Sequence, residues 1–125
     1  MLKLNATPEI LRKSLAHEDI SPAQVDDLIS EIGRGNSRSL FNDHGAGVIQ
    51  ILKDAHGRVE MFLKAWGGSR LTAWLKDLIK FASQNRVNSL LIQTKNKSVY
   101  KIITQRYGFL SAGYVDGNFI MRKAF

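Results

Sequence analysis

The stretch "KAWGGSR", Lys64 to Arg70, holds the residues whose spacing most suggests chemistry, and a helix-forming pattern follows it directly. Gly67 and Gly68 let the backbone approach a ligand closely, because neither carries a Cβ. A helix starting near Ser69 would present unpaired N–H groups and the positive end of its dipole, which together make an anion site, above all for phosphate. Arg70 strengthens this reading, since a cation in the first helical turn opposes the dipole unless an anion lies beside it. A carboxylate introduced at position 68 would then repel the ligand at modest cost to the fold. The plainer alternative is a tight strand-to-helix turn with no ligand. Other reactive types are sparse. The chain has no cysteine, which removes disulfides, thiolate metal sites and thiol nucleophiles together. His44 and His56 have intrinsic pKa values suited to base chemistry, but each sits in a glycine-containing turn where a polar loop residue is the simpler reading. His17 falls between two helices. The three histidines lack ligand spacing, so no metal site is expected.

Charge points the same way as the glycine turn. The 125 residues carry 18 Lys and Arg against 11 Asp and Glu, a net charge of +7. Between Lys64 and Arg106, nine cations face a single acid, Asp77. Such a balance suits a polyanion: nucleic acid, a phosphorylated cofactor or an acidic protein partner. A solvated basic face is the bland alternative. Specific nucleic-acid recognition is not expected, because no helix-turn-helix, zinc-finger or RNA-binding signature is present. Trp74 and Phe81 fall on an apolar helix face, leaving Trp66 either to stack on a ligand or to cover the core. The length suits one domain over residues 1–125. No apolar run approaches a membrane span, and the first residues lack the pattern of a signal peptide, so a cytoplasmic protein with no membrane contact is expected.

The elements that must position these residues are legible from period and punctuation. Residues 1–5 alternate as an edge strand. Thr7 with Pro8, and Ser21 with Pro22 and Gln24, start two helices, the second with capping-box spacing and a stop at Gly33. "RSLFND", "GVIQILKD" and "VEMFLKA" form an antiparallel meander, turned by "NDHGAG" and by "DAHGR". Leu71, Trp74, Leu75, Leu78 and Phe81 make one helical stripe that should pack on the sheet. The strand "NSLLIQT" follows, reached by the crossover that parallel strands require. A helix over roughly 98–107 leads into a closing hairpin turned at Asp116-Gly117-Asn118. The order β-α-α-β-β-β-α-β-α-β-β describes an α+β domain built on one mixed sheet.

This order, with "GGSR" at the central strand-to-helix turn and "TQRYGF" before the last hairpin, resembles the GNAT-type N-acetyltransferase superfamily over residues 1–123. The resemblance implies acetyl-CoA as cofactor, its pyrophosphate held by an Arg/Gln-x-x-Gly-x-Gly/Ala turn. In "KAWGGS", Lys64 stands for the Arg or Gln, Gly67 for the first glycine and Ser69 for the last small residue, with Ala65, Trp66 and Gly68 between and Arg70 beyond. It also implies Asn96 as the asparagine ahead of the next helix, and a bulge near residues 63–65 whose backbone N–H stabilises the oxyanion.

For proton transfer, the resemblance points to Glu60 as the base, although Glu60 also reads as a solvent-face residue of an alternating strand. The usual tyrosine acid, four residues before Gly108, is replaced by Thr104, a far weaker acid than a phenol. Tyr100, one turn earlier on the same helix, is the candidate substitute; Tyr107, just before Gly108, reads as packing. Three functions follow. The first is an acyl-CoA-dependent N-acetyltransferase acting on an amine or protein acceptor. The second is a degenerate, non-enzymatic interaction or structural protein on the same fold, of a kind known among bacteriophage proteins. The third is a weak, nonspecific nucleic-acid binder.

Overall fold

The computed structural model describes residues 1–16 and 20–125. Its elements follow the expected order: β1 (Lys3–Leu4), α1 (Pro8–Ser14), α2 (Pro22–Gly33), β2 (Arg38–Asn42), β3 (Gly45–Lys53), β4 (Val59–Gly67), α3 (Leu71–Gln84), β5 (Ser89–Thr94), α4 (Lys97–Arg106), β6 (Leu110–Val115) and β7 (Asn118–Ala124). The strands form one seven-stranded sheet in the order β1-β2-β3-β4-β5-β7-β6. Every neighbouring pair is antiparallel except β4 and β5, which the α3 crossover leaves parallel.

The capping chemistry works as its residues dictate. Thr7 accepts from the Ile10 N–H, while Ser21 and Gln24 close a full capping box at the start of α2. Gly33 ends α2 without terminating it by a left-handed turn; that conformation falls on Gly35, with φ +81°. The first meander turn is tighter than the sequence suggests, because β2 and β3 pair down to Asn42 opposite Gly45. Asn42 sets this turn by accepting from the His44 and Gly45 N–H groups, and its amide donates to Asp77 of α3 at 2.8 Å.

Helices cover both faces of the sheet. Against one face, α3 and α4 bury Trp74, Leu75, Leu78 and Ile103 over Met61, Leu63, Leu90 and Ile92. Leu71 and Phe81, at the ends of the α3 stripe, are half-buried, and Ala82 completes the buried face. On the other face, Leu11, Leu15 and Val25 pack over Ala46, Val48 and Ala65. One irregularity links the two cores. Val48 pairs with Ala65 but Ile49 pairs with Leu63, so Lys64 is an extra residue in β4 and makes a β-bulge. The bulge reverses the alternation: Met61 and Leu63 join the α3 core, whereas Ala65 joins the α1–α2 core. Trp66 then lies on the α3 side, stacked on Trp74 with ring centroids 6.1 Å apart. Among the described residues, no helix is long and apolar enough to cross a membrane.

Candidate functional site

The bulge marks the place where the sheet opens. Strands β4 and β5 pair from Glu60–Ser89 to Leu63–Ile92 and then separate, although β4 runs on to Gly67 and β5 to Thr94. Beyond the split, β4 remains paired to β3 and β5 to β7. The two strand ends therefore diverge and leave a cleft of about 1070 Å³ between them. Its walls include Lys64, Ala65, Trp66, Gly67, Gly68 and Ser69 from β4 and the turn after it. Gln93 to Asn96 face them from the end of β5, and Asp27 and Glu31 of α2 close another side.

The upper end of the cleft is the start of α3, which begins at Leu71 rather than near Ser69. Arg70 is therefore the N-cap and not a first-turn residue, and its side chain makes no cap. The Arg70 N–H donates to the His44 carbonyl at 3.1 Å, pinning the turn to the β2–β3 connection. The first turn of α3 has neither an acidic residue nor a side-chain cap, so its N–H groups and dipole remain available to an anion.

Gly68 is required here on two counts: its φ is +149°, and a Cβ would collide with the backbone of His44 and Gly45. The expectation that a carboxylate at position 68 costs the fold little is thus corrected. An added side chain would strike fixed backbone before it met any ligand.

The remaining candidates divide by position. Asn96 lines the cleft and caps α4, accepting from the Ser98 and Val99 N–H groups. Lys64 also lines it, but its ammonium is ion-paired with Glu31, which accepts from Ser37 as well. The hydrogen bond from Lys64, reinforced by its charge and by Ser37, holds the Glu31 carboxyl below the usual carboxylate value although burial opposes it. His44 lines the cleft near Gly68, whereas His56 lies in the exposed β3–β4 turn. His17 lies outside the described residues.

Glu60, Tyr100, Thr104 and Arg70 do not wall the cleft. Glu60 sits at the closed end of the β4–β5 ladder, where it accepts from Arg122 at 2.7 Å and Ser89 at 2.6 Å. The Arg122 hydrogen bond, with help from Ser89 and the Arg122 charge, lowers its pKa against the effect of burial. That is the wrong direction for a base. The Thr104 hydroxyl donates to the Tyr100 carbonyl at 2.9 Å, within its own helix. The Tyr100 ring stacks on Phe119 at 4.7 Å. Gln93 and Thr94, which lie past the last β4–β5 pair, and Asp27 and Glu31, one turn apart on α2, line the cleft without a residue-type signature in the sequence.

Lys76, Arg106 and Lys123 line a second hollow of about 470 Å³ together with Ile79, Tyr107 and Gly108. Trp74 is fully buried and Trp66, Phe81 and Tyr100 are half-buried, so none of the segment's aromatic rings is fully exposed between its cations. Among the described residues no group of His, Asp and Glu could hold a metal ion.

No protein-family model matches the sequence, and no curated protein matches it. Solved structures do match its backbone. One is a Bacillus subtilis acetyltransferase in complex with CoA (TM-score 0.68, 13% identity, 99% of this chain and 97% of that one). Another is a GNAT-family acetyltransferase from Listeria monocytogenes (TM-score 0.64, 13% identity, 99% and 95%). A third is Arabidopsis thaliana Naa50 with the bisubstrate analogue CoA-Ac-MVNAL (TM-score 0.59, 13% identity, 99% and 99%). The element order and these alignments over nearly the whole chain agree: the protein has the fold of the GNAT-type N-acetyltransferases.

Proposed function

We propose that this protein is a divergent GNAT-type domain that binds acyl-CoA in the β4–β5 cleft and presents the acyl group to an amine. The observation that carries this reading is the opening of the parallel ladder after Leu63–Ile92 onto a cleft whose far end is an α3 N-terminus without a side-chain cap. The chemistry of the residues fits the group. Gly67, Gly68 and the N–H groups of Leu71 to Ala73 would hold the pyrophosphate, and Ser69 would add a hydroxyl. Exposed Arg70 would add a charge from the rim. The diverging strand ends would take an extended arm, and Asn96 borders its exit. When bound, acetyl-CoA supplies an activated thioester carbonyl. Lys64, with no register partner on either neighbouring strand, is the proposed site of backbone N–H stabilisation at that carbonyl oxygen.

Proton transfer is where this chain contributes least. The Glu60 carboxylate is committed to Arg122 and that of Glu31 to Lys64, so neither is poised to take a proton near neutral pH. The Thr104 proton is committed to a helix carbonyl. These commitments favour a second reading of the same site, in which the ligand binds and orients but turnover is slow, as in a fold retained for interaction. The hollow at Lys76, Arg106 and Lys123 suits an acidic partner in either case. The acceptor is an amine of a small molecule or protein, approaching past the carboxylates of α2. Calorimetric titration with CoA tests the binding claim: saturable one-to-one binding supports it, and no heat at millimolar CoA sinks it. A free-thiol assay with acetyl-CoA then separates slow transfer from none.

A further inference from the structure

The Gln93 side chain bridges the break in the β4–β5 ladder. Continuing the parallel register past Leu63–Ile92 would bring Lys64 opposite Gln93. The backbones have separated at that point, and the Gln93 side-chain amide donates instead to the Lys64 carbonyl at 3.2 Å. A carbonyl at the open edge of a strand must find a donor. It is also a natural contact for an extended ligand carrying amides, which would add to β4 as a partial strand. The Gln93 amide is chemically the same donor as a ligand amide. Its backbone is fixed in the β5–β7 ladder opposite Ile120, so a change of side-chain rotamer is enough to withdraw it.

We infer that Gln93 is a latch across the cleft, whose side-chain amide holds the Lys64 carbonyl until an amide-bearing ligand arm takes its place. The inference rests on the acyl-CoA reading above, because the arm of coenzyme A carries two amide groups. It makes Gln93 a specificity-determining residue. Only a ligand that brings its own amide donor to β4 compensates the bond it displaces, and one lacking that donor leaves the carbonyl unsatisfied. Binding of the nucleotide end, at the start of α3, does not require the latch to open.

The test compares calorimetric affinities for CoA and for 3′-phosphoadenosine 5′-diphosphate, which lacks the arm. Gln93→Met keeps the length of the side chain and removes its donor; Gln93→Ala also empties the gap. Both are checked for native circular dichroism. The latch predicts that at least one variant binds CoA about threefold to tenfold tighter than the unaltered chain, with the armless nucleotide unchanged within about twofold. Equal or weaker CoA affinity in both folded variants overturns the latch and leaves the cofactor site standing, as does an equal gain for the armless nucleotide. Absence of CoA binding in all three proteins sinks the cofactor reading, and the latch with it.

Discussion

Replacing Gly68 with alanine tests whether the cofactor turn is built by backbone contact. The substitution has two separable costs. An alanine forced to φ +149° carries strain of about 1–3 kcal/mol. Its Cβ would also overlap the Gly45 Cα and the His44 carbonyl, and relieving overpacking of this kind costs about 1–3 kcal/mol more. The relief has a consequence of its own: moving the β2–β3 turn away stretches the hydrogen bond from the Arg70 N–H to the His44 carbonyl, worth about 0.5–1.5 kcal/mol. Together these predict a loss of about 2.5–7.5 kcal/mol, against a total of about 5–15 kcal/mol for a domain. Gly113 supplies the control. Its φ is +143°, yet nothing lies within 4 Å of its added Cβ, so Gly113→Ala should lose only the strain, about 1–3 kcal/mol. Urea denaturation measures both, with the slope checked for constancy so that the midpoint reports stability. Equal losses in the two variants would refute the close approach of the turn to His44 and Gly45.

Other outcomes follow from the packing and the charges. Trp74→Ala, at a fully buried ring stacked on Trp66, should cost about 3–5 kcal/mol in chemical denaturation; a loss below about 1 kcal/mol would mean that α3 docks otherwise. Glu60 has a folded pKa below its ordinary 4.5, so its pairing with Arg122 stabilises the fold above that value and is lost as pH falls through the depressed pKa. Glu60→Gln should accordingly flatten the acid limb of stability below about pH 4.5, and an unchanged acid limb would show the pair to be inert. Tyr100→Phe should leave transfer within about twofold, because that ring is engaged with Phe119 outside the cleft wall; a larger loss would restore Tyr100 as the acid. Binding to nucleic acid should be weak, insensitive to sequence and steeply reduced by salt, and sequence-selective binding at high salt would contradict the charge distribution.

How much of this was legible in the sequence depends on whether a feature is periodic or relational. The α3 stripe, the capping box at Ser21 and Gln24 and the Asp116-Gly117 turn are local, and local spacing announces them. The glycine turn between β4 and α3 was legible for the same reason, since the conformational meaning of Gly68 is local. What Gly68 meets was not legible, because His44 lies on a different strand and only the sheet brings it close. The bulge at Lys64 leaves no residue-type signature: "VEMFLKA" reads as an unbroken alternation, and the phase reversal shows only when Ala65 is found in the other core. Glu60 was singled out by analogy of position, but its role is set by Arg122, 62 residues away in sequence. The place of Gln93 in the cleft wall was invisible because it comes from where the parallel pairing stops.

The central claim is that a CoA molecule lies with its phosphates at the start of α3 and its arm in the split between β4 and β5. Amide chemical-shift mapping by nuclear magnetic resonance during a CoA titration tests it most directly. The predicted result is saturable shifts concentrated at Lys64, Ala65, Gly67, Gly68 and Leu71 to Ala73, with the Gln93 side-chain amide moving in parallel. Shifts confined to the surroundings of Lys76, Arg106 and Lys123, or no shifts at millimolar CoA, would contradict it.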